Sequence, residues 1–206
     1  MKTSLTATIL LTLFISFAAQ AQEEEKEIEK KGFKKENLFT GGSISLAFYN
    51  NTFLIGASPV LGYSLTSWID AGIVVNYNYT SYRDYNFVFN DKLRQTVYGG
   101  GIFARIYPVR FLFAQVQPEH NFLRLKFIPN VGTPETYNTS VNSLLVGGGY
   151  TTGRQKDDKS PFYYVAVLFD ISGNNASPYT DGYGRTIPII RAGLQIPLGQ
   201  GGGRRE

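Results

Sequence analysis

Residues 96–122, TVYGGGIFARIYPVRFLFAQVQPEHNF, read as two long strands of period two joined by a tight turn at Pro108-Val109-Arg110. Alternate side chains of a strand point to opposite faces. One face collects Tyr98, Ile102, Ala104 and Ile106, then Leu112, Ala114, Val116 and Phe122. The other collects Gly99, Gly101 and Arg105, then Gln115, Gln117, Glu119 and Asn121. A soluble sandwich buries the apolar face and wets the polar one. A membrane barrel turns the apolar face to lipid and hides the polar face in its lumen.

The same period runs outward from this hairpin in both directions. Strands are expected at 38–49, 52–65 and 68–79 before it, and at 139–150, 162–171 and 185–198 after it, eight in all. The third is the cleanest, with Ile69, Ala71, Ile73, Val75, Tyr77 and Tyr79 set against Asp70, Gly72, Asn76 and Asn78. In the seventh, Tyr163, Val165, Val167, Phe169 and Ile171 oppose Tyr164, Ala166 and Asp170. In the eighth, Ile190, Ala192, Leu194 and Ile196 oppose Arg191, Gly193 and Gln195. Pro59 removes a ladder donor from the second, so a bulge or irregularity is expected there.

Most of these strands reach ten residues, the length a tilted membrane-spanning strand needs, whereas strands of globular proteins average five or six. An even number of antiparallel strands also closes without leaving an edge. Connections after the second, fourth and sixth strands are 65–67, 108–110 and 152–160; those after the third, fifth and seventh are longer, 81–93, 128–138 and 172–184. Asn50-Asn51 is a short exception. The expected fold is all-β: an eight-stranded antiparallel up-and-down transmembrane β-barrel over 38–198, with its N-terminus in the periplasm and its longer loops outside.

The flanks fit an exported chain. Lys2, the apolar run LLTLFISFAA and Ala19-Gln20-Ala21 make a cleavable signal peptide over 1–21. Residues 22–37, QEEEKEIEKKGFKKEN, form a charged periplasmic linker, and 199–206 a flexible Gly-rich tail. The absence of cysteine excludes disulfides and thiol chemistry. Losing Lys2 on cleavage takes the net charge from +4 to +3, which leaves 19 basic against 16 acidic residues and does not imply nucleic-acid binding.

The stretches SPVLGY (58–63), GIFARIYP (101–108), NASPY (175–179) and IRAGL (190–194) resemble small outer-membrane β-barrel proteins of the OmpA/OmpX-like kind, in the form abundant in Bacteroidetes-type Gram-negative bacteria. The resemblance covers about 38–198 and implies a porin-like barrel inserted in outer-membrane lipid with help from the barrel assembly machinery. It carries no catalytic residues. Such barrels often end on an aromatic residue, whereas here Leu198 precedes the tail. Proteins of this look sometimes carry an oxoacid-decarboxylase label, but a thiamine-diphosphate site needs Gly-Asp-Gly followed by an Asn pair. Here Asn174-Asn175 comes before Asp181-Gly182.

An eight-stranded barrel is just wide enough to be filled by side chains. Strand parity sends Asp70, Arg105, Gln115, Gln117, Glu119, Asp170 and Arg191 inward, and unpaired buried charge is costly, so these should form an internal network. A three-residue turn pairs Tyr107 with Phe111, Gly101 with Gln117 and Gly99 with Glu119. That register predicts two stacked ion pairs, Asp70 with Arg105 and Glu119 with Arg191.

His120, the one histidine, falls outside the barrel beside Pro118 and Phe122, with no Ser or acid placed next to it. One His and no Cys make a zinc site improbable. The triplets at 99–101 and 147–149 are followed by no helix and read as close-packing positions, not phosphate loops. Tyr79, Tyr82, Tyr85, Phe87 and Phe89 read as an outer aromatic girdle, or as a ligand-contacting surface.

The expected function is structural or surface-interacting, with a side-chain-filled lumen, no catalysis and no cofactor. The rivals are a soluble lipocalin-like binder of an apolar ligand, a lipid-modifying enzyme of the outer membrane that uses His120, and a narrow pore.

Overall fold

A computed structural model describes residues 33–49, 52–84, 89–154, 160–180 and 185–198. The expected signal peptide, residues 22–32 of the charged linker and the C-terminal tail lie outside the described residues. Eight strands follow one another: β1 (Leu38–Tyr49), β2 (Thr52–Ser64), β3 (Ile69–Arg83), β4 (Lys92–Val109), β5 (Leu112–Ile128), β6 (Glu135–Thr151), β7 (Phe162–Asp170) and β8 (Ile189–Pro197). Each pairs antiparallel with the next, and β1 pairs with β8 to close the barrel. Closure leaves the ladder no free edge where the strands overlap.

Faces follow parity. Along β5 exposed and buried residues alternate without a break from Leu112 to Arg124. Ile44 is 70%, Ile102 61% and Ile190 64% exposed on the outside. Inside, Asp70 and Asn121 are 0% and Gln117 1% exposed. The polarity of a soluble protein is reversed: large aliphatic side chains point out and amides and charges point in.

Apolar layers fill part of the interior. Tyr107, Phe113, Tyr164 and Ala166 pack together towards the end with the short turns. Phe39, Val60, Val74 and Phe103 form a second cluster. Val97, Leu123 and Val141 pack towards the long-loop end, where Leu145 and Leu168 also meet Tyr179 of the β7–β8 connection.

The expected β4–β5 turn and its register are corrected. The β4–β5 turn is the pair Arg110-Phe111, with Val109 opposite Leu112, and a register shift lies between Ile106 and Val109. Pro108 therefore sits inside β4. Gly101 faces Glu119, Gly99 faces Asn121 and Arg105 faces Gln115, a slide of two residues from the register expected of a three-residue turn. At Pro59 the ladder to β3 is interrupted but resumes in the same register. β3, β4, β5 and β6 also run further towards the long loops than their apolar alternation shows, because polar residues continue the pairing.

Gly101 is required by close approach. A Cβ there would run into the carbonyl of Pro118 and the Cα of Glu119. The missing side chain on β4 is what gives the Glu119 side chain of β5 its room.

Candidate functional site

The lumen holds a hydrogen-bonded chain built mainly on β5, where every second residue is polar and inward. Arg105 Nε donates to Gln115 Oε1 (2.7 Å), Gln115 Nε2 to Gln117 Oε1 (2.8 Å), and Gln117 Nε2 to Glu119 Oε2 (2.8 Å). Each glutamine accepts on its oxygen and donates on its nitrogen in the same direction, so the amide dipoles align between a guanidinium and a carboxylate. Low-dielectric surroundings strengthen such a chain. Glu119 ends it with three more donors: Asn76 Nδ2 to Oε2 (2.7 Å), Asn121 Nδ2 to Oε1 (2.6 Å) and Tyr179 Oη to Oε1 (2.6 Å). Tyr179 lies in the β7–β8 connection, and burial holds its phenol well above the usual range, so it stays a donor.

The expected ion pairs are not direct; each is bridged by a glutamine. Arg105 Nη1 donates to Gln195 Oε1 (3.2 Å), and Gln195 Nε2 donates to Asp70 Oδ2 (3.2 Å). Arg191 Nη1 reaches only Gln117 Oε1 (3.3 Å), one amide short of Glu119. The reasons are local. Glu119 is already saturated by four donors. The Arg105 guanidinium lies 4.5–5.2 Å from the rings of Tyr164, Phe103 and Phe113, a cation–π collar that holds it in place. Asp70 is taken by a different cation, Arg154, whose Nη2 lies 2.7 Å from Asp70 Oδ1 and 2.9 Å from the Thr66 carbonyl.

Of the seven residues expected in the lumen, all are buried, but six share this network and Asp170 does not. Asp170 sits at the end of β7, where it accepts from the backbone N–H groups of Leu144 and Ser172 and from the Ser177 hydroxyl, and so fastens the following loop. Sequence reading missed Arg154 and Tyr179, which come from connections with no period to follow. It placed Asn76, Asn121 and Gln195 on inward faces but singled out mainly charged residues.

On the outside, His120 Nδ1 lies 2.7 Å from Asn142 Oδ1, and its ring meets Phe122 edge-on at 4.8 Å. Asn142 orients the imidazole, but among the described residues no serine or carboxylate is hydrogen-bonded to it. Among the described residues, no three His, Cys, Asp or Glu side chains are placed to hold a metal. Tyr77, Tyr98 and Phe122 lie opposite one another on β3, β4 and β5 as an exposed aromatic row, with the Tyr98 and Phe122 rings stacked at 5.5 Å. Of the expected loop aromatics, Phe89 is 75% exposed, and Tyr85 and Phe87 lie outside the described residues.

No protein-family model matches the chain, and no curated protein matches it. Among solved structures, it is similar to Ail, the attachment invasion locus protein of Yersinia pestis, solved in complex with the heparin analogue sucrose octasulfate. The identity is 8% over 77% of this chain and 89% of that one, with a TM-score of 0.40. It is also similar to the N-terminal β-barrel domain of Pseudomonas aeruginosa OprF, at 13% identity over 78% of this chain and 95% of that one, with a TM-score of 0.39. At such scores and identities the likenesses carry no functional weight, and the reading rests on the barrel's own geometry.

Proposed function

We propose that the chain is an outer-membrane β-barrel protein with a filled lumen and a structural or surface-interaction role, exported by its N-terminal signal and not an enzyme. The reversed polarity carries this reading. A contiguous apolar exterior of this extent is foreign to a soluble monomer. Its height also suits a bilayer. From Leu112 to Phe122 the outward face of β5 spans about 33 Å along the strand, or about 25 Å along the axis at the usual tilt. The outward face turns to Arg124 and Lys126 immediately beyond the aromatic row. A lipocalin-like binder needs the opposite arrangement, an apolar lumen under a polar exterior. A pore needs continuous space, and the cavity beside Arg105 and Arg191 has only about 10 Å³.

Fractionation tests the proposal. The chain should sediment with outer membranes and resist extraction by carbonate. Recovery in the osmotic-shock supernatant would overturn it. Replacement of His120 should leave the lipid A and phospholipid profiles unchanged, whereas an altered profile would revive the lipid-modifying reading.

A further inference from the structure

Above the aromatic row the outer wall becomes basic. Arg83 on β3, Lys92 and Arg94 on β4, and Arg124 and Lys126 on β5 share the parity of Tyr77, Tyr98 and Phe122, so all five lie on the outward face towards the long loops. The charge is one-sided: β1, β2, β6 and β7 contain no lysine or arginine. Arg83, Arg94 and Arg124 are exposed, and Lys92 and Lys126 are half-buried.

Register sets these cations against one another. Arg83 stands directly opposite Lys92, and Arg94 directly opposite Lys126; Arg124 faces Thr96, two residues along β4 from Arg94. Side chains directly opposite one another lie about 5 Å apart at Cβ, and like charges there destabilise a sheet. The nearby acids are engaged elsewhere. Asp84 accepts from the Asn90 N–H and the buried Asp91 from the Asn130 N–H. Glu135 falls on the other parity of β6 and accepts from the Tyr137 hydroxyl. Among the described residues, no carboxylate forms an ion pair with any of the five cations. Two like-charged rungs without an internal counter-charge call for an anion from outside.

The kind of anion follows from where the charge begins. Arg124 lies two residues beyond Phe122, about 7 Å along the strand, and Lys126 about 14 Å beyond it. The cations are thus continuous with the apolar wall. A soluble polyanion would use only the cations, whereas an acylated anion engages both, its chains on the wall and its headgroup above.

We infer that the upper outer wall of β3–β5 binds the phosphorylated headgroup of lipid A. Arg94 and Lys126 clamp one phosphate, and Arg83 and Lys92 a second, the guanidiniums offering paired donors and the ammoniums point charges. The acyl chains run down past Tyr98 and Phe122. This inference rests on the outer-membrane reading with the long loops outside, which places the cations in the leaflet that carries lipid A.

The test uses the full chain folded in detergent micelles with purified lipid A added. Native mass spectrometry should show lipid A retained, and the melting temperature should rise; lipid A stripped of its phosphates should do neither. Arg94→Gln/Lys126→Gln should bind about thirtyfold more weakly, and Arg83→Gln/Lys92→Gln should weaken binding by a similar factor. In micelles free of lipid A, both variants should melt no lower than the parent, because each removes a like-charged rung. A lower melting point there would mean that the cations serve the fold, and would overturn the inference. So would an equal response to phosphatidylglycerol at the same charge, or to heparin or inorganic phosphate. A parent chain that sediments with outer membranes but ignores the phosphates of lipid A sinks this inference alone. Recovery of the parent in the osmotic-shock supernatant sinks the outer-membrane reading with it.

Discussion

Replacing Glu119 with glutamine tests the lumen network most directly. The carboxylate accepts four hydrogen bonds, from Asn76, Gln117, Asn121 and Tyr179, all at 2.6–2.8 Å. An amide in its place keeps one acceptor and turns the other into a donor. The structure indicates which way it will turn. Asn76 Oδ1 and Asn121 Oδ1 are buried without partners, and the Tyr179 hydroxyl can accept as well as donate. The new N–H groups should therefore face Asn121 and Tyr179, leaving the oxygen to Gln117 and Asn76. What is lost is charge assistance, about 1 kcal/mol for each of four bonds, so the variant should be less stable by roughly 2–4 kcal/mol. Glu119→Ala, which leaves every donor stranded, should lose on the order of 6 kcal/mol. Denaturant unfolding in micelles, read as a midpoint shift at constant slope, measures both. Planar-bilayer recordings of Glu119→Gln should show no discrete channels. A glutamine variant within about 0.5 kcal/mol of the parent would refute the idea that a saturated carboxylate anchors the lumen.

Three other outcomes are expected. Arg154→Ala strands the fully buried Asp70 and should destabilise by about 3 kcal/mol; adding Asp70→Asn should recover part of this, as a double-mutant cycle would show. Ile102→Lys, on the outward face, should cost about 2–4 kcal/mol in a bilayer and lower recovery in outer membranes; a soluble barrel would absorb it within about 0.5 kcal/mol. Tyr179 has a folded-state pKa raised above the ordinary value of about 10, so its contribution is complete below pH 10 and is lost as pH rises further. Tyr179→Phe should lower stability at neutral pH and flatten the alkaline decline, measured by unfolding between about pH 8 and 11.

The alternating faces were legible in the sequence because parity is local. Ile102 and Arg105 occupy opposite sides of β4 whatever β5 does. Register was not legible, because it hangs on the turn. Val109 extends the strand past Pro108, a shift near Ile106 absorbs the difference, and every β5 residue then moves by two positions against β4. That slide keeps Glu119 on the inward face but changes its partners. The upper ends of β3 and β6 were hidden for a related reason: Ser81, Arg83, Thr136 and Asn138 pair as well as any residues but lack the apolar alternation that announces a strand. Arg154 and Tyr179 were invisible for a third reason. They reach the lumen from connections, and only the closed barrel brings them beside Asp70 and Glu119.

The aligned amides of Gln115 and Gln117 have a consequence of their own. A row of head-to-tail amides has two self-consistent settings, and a single reversed member faces one neighbour donor to donor and the other acceptor to acceptor. Arg105 at one end can only donate, and Glu119 at the other accepts, so the termini select one setting for the whole row. The lumen therefore stores a direction as well as a composition. Exchanging the charges at its two ends would ask both glutamines to turn over together, and placing the same charge at both ends would leave the row with a fault it could move but not remove.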